Sequence, residues 1–293
     1  MSSSCITADP TRYDTQYPAD ITGFVIPGRS GERMYANLLR PQGRGPHPTV
    51  LLLHGYPGDE NNYDLAHVLQ RFGCAVVVFH YRGTWGSEGR FSLCHVLEDV
   101  EDTLRFLREH AGSAEYPFDA DLIFLIGHSM GGFAALETAA RDSSLLGTAA
   151  LAAFDFSLVS GNPKLKNAVR KEFDDCPPIR RIGLDAVMRE IDDHAQEWHF
   201  PTLAAGLSKQ PLLLIGGTHD PISRPEYHLR PLERSLQETD GANFQTVLFE
   251  GGHCLCESRI QLAKELVKWL SELLGKREKP AHAKVFLSDS RIG

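Results

Sequence analysis

The chain has 293 residues, of which 42% are hydrophobic and 23% charged, and a formal net charge of −8. That length buries a full core in one domain with room for an insertion, and the composition is that of an ordinary soluble globular protein. Acidic balance argues against nucleic acid as the main partner, and with the signs interspersed no acidic interaction surface is evident.

Residues 1–20 are polar and proline-containing and read as an N-terminal arm. Without a basic segment followed by an apolar one they do not read as a secretory signal. No apolar run nears the ~20 residues that cross a bilayer, so the expectation is a cytoplasmic protein without a membrane span. Segments 21–26 and 34–40 read as strands, and Pro27-Gly28-Arg29-Ser30-Gly31 between them supplies a turn, predicting an antiparallel hairpin. Thr49-Val50-Leu51-Leu52-Leu53 is a continuous apolar run, the pattern of a strand covered on both faces. Helices are then expected at 63–72, 96–109, 131–141 and 227–239, and strands at 74–81, 122–126, 148–154, 211–215 and 245–249. An amphipathic helix is expected over 258–274. This alternation predicts a three-layer α/β fold with right-handed crossovers and a site at the carboxyl ends of the strands.

Residues 157–209 break the rhythm. They hold charged, helix-compatible stretches and no strand signal, and about 50 structureless residues would be unusual in a compact domain. The expected organisation is a core of 21–156 and 210–274, a helical lid at 157–209, and a C-terminal extension at 275–293 with a short strand at 284–287. Six scattered cysteines suit a reducing compartment better than a disulfide framework. Cys254-Leu255-Cys256 lacks a second ligand pair, so no metal site and no cofactor are expected.

The chemistry concentrates at Gly127-His128-Ser129-Met130-Gly131, between the predicted strand 122–126 and helix 131–141. A serine between glycines at a strand-to-helix turn is pushed out of the backbone, the arrangement of a nucleophile elbow. A serine hydroxyl needs a base and a group to orient it. Among thirteen histidines, His253 follows the last predicted strand and is the candidate base. Asp220, after the preceding strand in Gly216-Gly217-Thr218-His219-Asp220, is the candidate acid, and Asp155, after strand 148–154, is the alternative. His128 should point away from the serine, His219 could shape the pocket, and His54 and His80 should satisfy backbone groups at strand ends. The developing oxyanion needs amide donors. These are the N–H of Met130 and, in His54-Gly55-Tyr56-Pro57-Gly58, the N–H of Tyr56, since Pro57 has none. Trp85, in Tyr81-Arg82-Gly83-Thr84-Trp85-Gly86, and His54 are candidate pocket residues, with a packed anchor as the competing role for Trp85. Arg180 and Arg181 could meet an anionic acyl group.

Four ordered motifs, at 54–58, 81–86, 127–132 and the Asp220/His253 pair, resemble the α/β-hydrolase superfamily over roughly residues 21–274. The N-terminal hairpin is similar to that of feruloyl-esterase-type serine esterases and of prolyl-oligopeptidase-like catalytic domains. The resemblance implies an eight-stranded, mostly parallel sheet and ester hydrolysis through an acyl-enzyme, with a small-molecule acyl substrate. An aminopeptidase, a thioesterase or a carbon–carbon hydrolase would use the same triad. A non-catalytic ligand-binding protein on the same scaffold, or an interaction protein acting through 157–209, stand as alternatives of another class. Oligomeric state is left open by the sequence.

Overall fold

The computed structural model describes residues 3–59, 61–176 and 178–277. The expected strand at 284–287 lies outside them. Eight strands form one sheet in the order β1-β2-β4-β3-β5-β6-β7-β8. Strands β1 (Asp20–Pro27) and β2 (Arg33–Arg40) make the expected antiparallel hairpin, and β2 pairs antiparallel with β4 (Ala75–Phe79). All remaining pairings, through β3 (His47–Leu53), β5 (Phe118–His128), β6 (Gly147–Leu151), β7 (Leu212–Gly217) and β8 (Phe244–Phe249), are parallel.

The apolar run at 49–53 is explained by burial on both faces. Leu51 and Leu53 enter one core cluster, while Val50 and Leu52 enter the other. Strand side chains alternate with a period of two, so a strand between two helical layers must be apolar throughout. One layer holds α1 (Tyr63–Phe72) and the carboxyl-terminal helix, Arg259–Arg277; the other holds α2 (Leu93–Glu109) and α3 (Met130–Arg141). The helix over 63–72 coincides with the expected one, and the strand expected over 148–154 stops at Leu151. There the chain turns sharply: Ala152 takes a positive φ of 46° while its N–H bonds the Ile215 carbonyl.

Between β6 and β7 the chain is helical, with α4 (Pro163–Asp174), α5 (Leu184–Asp193) and the single turn α6 (Ala204–Leu207). Asn162 caps α4 by accepting from the Leu165 N–H, and Pro163 opens the helix where its missing N–H costs nothing. The two ends of this segment meet at Asp155. Its buried carboxylate accepts from the Ser157 N–H and hydroxyl and, at 3.2 Å, from the N–H of Phe200, 45 residues on. After β7 come the short α7 (Pro225–His228) and α8 (Arg230–Gln237), with α9 being Arg259–Arg277. Arg82, beyond β4, is buried with its guanidinium on Asp99 of α2, which anchors the loop 81–87.

The strand order reverses between β3 and β5. The connection after β3 runs to one side of it and the connection after β4 returns to the other. Loops leaving the carboxyl ends of β3 and β5 therefore diverge and leave a crevice, the usual ligand position in open α/β sheets.

Asp155 staples a long segment across a buried acceptor, so Asp155→Ala should lower unfolding free energy in urea by about 2 kcal/mol, the cost of orphaning buried donors. A change below 0.5 kcal/mol would show that the staple is dispensable.

Candidate active site

The site grows from backbone constraints at 127–132. Ser129 sits at φ 56°, ψ −116°, a conformation rarely populated by side-chain-bearing residues and costing about 1–3 kcal/mol. It is held by the bond from its N–H to the Leu151 carbonyl at 2.9 Å and by its own carbonyl, which accepts from Phe133 and Phe154. A Cβ on Gly127 would overlap the Gly131 carbonyl, and one on Gly131 would overlap the carbonyl of Leu53 on β3. Two glycines are thus required for the turn to close against the neighbouring strand.

Three of the predicted residues converge at this turn. The Ser129 hydroxyl lies 2.9 Å from His253 Nε2, and His253 Nδ1 lies 2.8 Å from Asp220 Oδ2. The network assigns the tautomer: Nδ1–H donates to the carboxylate, leaving Nε2 to accept from the serine. Asp220 Oδ1 accepts from the N–H groups of Ile222 at 2.7 Å and Ser223 at 2.8 Å. The aspartate therefore shapes its own turn with one oxygen and orients His253 with the other. Burial alone would raise its carboxyl. The hydrogen bond and charge of His253, together with the two amides, outweigh that and hold it below the ordinary value. The loops carrying Asp220 and His253 approach closely because a Cβ on Gly217 would stand 2.5 Å from the Gly251 carbonyl.

Tyr56 and Met130 line the same cavity as Ser129 and His253. The Met130 N–H belongs to the first turn of α3 and has no intrahelical acceptor. Gly55 brings the Tyr56 loop close, since a Cβ there would be 3.1 Å from the Ser129 Cβ. The Tyr56 hydroxyl donates to the Phe173 carbonyl of α4 at 3.1 Å, tying this loop to the helical segment above it.

Other expectations are corrected. Trp85 does not line the cavity: its indole N–H donates to the Pro57 carbonyl at 2.7 Å, bracing the Tyr56 loop from outside. His54 is not a pocket residue either. It is buried beneath the loop, with Nδ1 on the Gly55 carbonyl at 2.7 Å and its ring against Tyr81. Burial pushes its imidazole down to about 3, against the Gly55 bond that opposes the shift. His80 packs against His54, and its buried Nδ1 has no partner among the described residues, so it does not serve the backbone as expected. His219 is exposed beside Glu250 and does not line the cavity. Asp155 is committed to the staple described above. Arg180 and Arg181 line a separate groove, with the Arg181 guanidinium on Asp174 at 2.8 Å.

For His128 the sequence foresaw only a side chain pointing away from the serine and not its role: its Nε2–H donates to the His253 carbonyl at 2.9 Å and fixes the backbone of that loop. Most of the cavity wall was not foreseen from the sequence. The cavity, about 260 Å³, is completed by Phe154, Phe156, Leu165, Ala168, Val169, Glu172, Phe173, Pro221 and Ile222. The signal for its upper wall was the apolar spacing at Leu165, Val169 and Phe173 along α4, one face of a helix at i, i+4, i+8.

Comparison with known proteins agrees with this architecture. Residues 50–265 match the family model described as the alpha/beta hydrolase family. The 2,6-dihydroxy-pseudo-oxynicotine hydrolase is similar with a TM-score of 0.64 at 20% identity, over 92% of this chain and 71% of that one. Brefeldin A esterase, a bacterial homologue of human hormone sensitive lipase, gives 0.64 at 17%, over 94% and 82%. Porphyromonas gingivalis dipeptidyl peptidase 4 gives 0.64 at 18%, over 89% of this chain but 36% of that one. No curated protein matches the sequence. Identities this low establish a shared fold.

Because His54 is held neutral, it binds a proton in the unfolded chain but not in the native one as pH falls from its ordinary value of 6.5 towards 3. Unfolding free energy should therefore rise with pH across that window more steeply than in His54→Phe, by up to about 1.4 kcal/mol per pH unit. Parallel pH profiles for the two proteins would contradict the burial assigned to this ring.

Proposed function

Since the chain belongs to the alpha/beta hydrolase family, we propose that it is a serine hydrolase cleaving carboxylic esters through an acyl-enzyme on Ser129. The observation that carries this reading is the unbroken chain from the Ser129 hydroxyl through His253 to the Asp220 carboxylate, opening into an apolar cavity.

In the proposed reaction His253 Nε2 takes the serine proton as Oγ bonds to the ester carbonyl carbon. The negative charge that forms on the carbonyl oxygen is met by the amides of Tyr56 and Met130. Such donors are typically worth about 3 kcal/mol each, because they are aimed before the charge develops. The imidazolium is stabilised by Asp220, kept ionised by the amides of Ile222 and Ser223. Collapse breaks the ester C–O bond, and the His253 proton passes to the leaving alkoxide. A water then gives its proton to His253, adds to the acyl carbon and releases the acid, and the proton returns to Ser129 Oγ. Side chains and backbone amides supply every step.

Residues 157–209 act in this proposal as a lid over the strand ends. Tyr56 connects that lid to the oxyanion amide through its bond to Phe173.

Ser129→Ala should lower kcat/KM for p-nitrophenyl acetate by at least about 10⁴-fold and abolish labelling by a fluorophosphonate probe. Asp220→Asn should lose about 10³- to 10⁴-fold through the wrong imidazole tautomer. Retained turnover in the serine variant would remove Ser129 from the mechanism.

A further inference from the structure

The cavity beside Ser129 constrains what can be cleaved there. Its volume is about 260 Å³, room for roughly nine non-hydrogen atoms at about 30 Å³ each. Its walls away from Ser129 and His253 are Phe154 and Phe156 from the chain after β6, Leu165, Ala168, Val169 and Phe173 from α4, and Pro221 and Ile222 from the Asp220 loop. The aromatic walls are rigid and mutually packed: Tyr56 meets Phe173 with ring centroids 4.6 Å apart, and Phe154 meets Phe156 at 4.9 Å. The Tyr56 hydroxyl is spent on the Phe173 carbonyl and offers the cavity no free donor.

Apart from Tyr56 and His253, the one ionisable side chain on the wall among the described residues is Glu172, near the carboxyl end of α4 and exposed. No arginine or lysine lines the cavity among the described residues. The Arg181 guanidinium is paired with Asp174 and lines the separate groove. An anion entering the cavity would lose its hydration, find no counter-charge and meet a carboxylate at the rim.

Resting on the ester-hydrolase reading, we infer that the substrate is an apolar ester that buries up to about nine non-hydrogen atoms of one half under α4. That buried half carries no negative charge. The shape of the wall sets the length, and Glu172 with the absence of cations sets the charge.

Two substrate series test this with the intact chain. One lengthens the acyl group of p-nitrophenyl esters from two to ten carbons; the other lengthens the alcohol of alkyl acetates over the same range. In the series whose variable half fills the cavity, kcat/KM should rise on the order of fourfold per methylene and level off near eight or nine carbons. Ala168→Trp, which fills the cavity from α4, should move that plateau to shorter chains. If the variant does not fold, Val169→Phe makes the same test. In the favoured series, a terminal carboxylate should lower kcat/KM at least tenfold against the neutral ester of equal length. Glu172→Lys should shrink that ratio at least threefold. Ser129-dependent turnover that is flat or falling in both series, or indifferent to the terminal carboxylate, would overturn the inference and leave the hydrolase reading standing. Loss of Ser129-dependent turnover on every ester, together with failed fluorophosphonate labelling, would overturn both.

Discussion

The arrangement of this molecule depends on one steric constraint, the closure of the turn at Ser129 against β3. Only glycine fits at 127 and 131, because a side chain at either would run into backbone carbonyls. The serine between them bears a positive φ, held in place by its N–H donating to the Leu151 carbonyl of β6 and by its carbonyl accepting from the N–H groups of Phe133 and Phe154. Strain of this kind persists only where surrounding structure over-determines it. Here it presents a hydroxyl at the carboxyl end of β5, beside the loop leaving β3, where the strand order reverses.

Two further close approaches complete the cluster, each licensed by a missing side chain. Gly55 lets the Tyr56 loop reach the serine, and Gly217 lets the β7 loop reach the β8 loop, setting Asp220 on His253. A ring of interactions that never touch the cavity then stiffens these loops. Trp85 holds Pro57, His128 holds the carbonyl of His253, and buried His54 supports Gly55. Positioning to within fractions of an ångström is what proposed proton transfer and oxyanion binding require, and these supports provide it.

Much of this was legible in the sequence, for physical reasons that differ between elements. The sheet could be read because strands buried on both faces must be apolar throughout, as at 49–53. The Ser129 turn could be read because its glycines are sterically compelled. Asp220 and His253 could be read because the loops at the carboxyl ends of consecutive strands are neighbours in a parallel sheet. What escaped were contacts without local signature. Trp85 and His54 follow strands as pocket residues would, yet one braces the loop from outside and the other is buried beneath it. That distinction depends on the path of residues 54–58, which no spacing encodes. Asp155 also follows a strand, but its carboxylate is claimed by Phe200, a partner 45 residues away. The cavity wall on α4 was written in helical periodicity, without any indication of which surface that face would meet.

The central claim is that the Ser129 hydroxyl, the His253–Asp220 pair and the amides of Tyr56 and Met130 address one reacting carbon. A crystal structure of the protein after reaction with a fluorophosphonate tests it most directly. The account predicts phosphorus bonded to Ser129 Oγ, with its non-ester oxygen about 2.7–3.1 Å from both the Tyr56 and the Met130 nitrogens. An unmodified Ser129, or an adduct whose oxygen turns away from both amides, would contradict it.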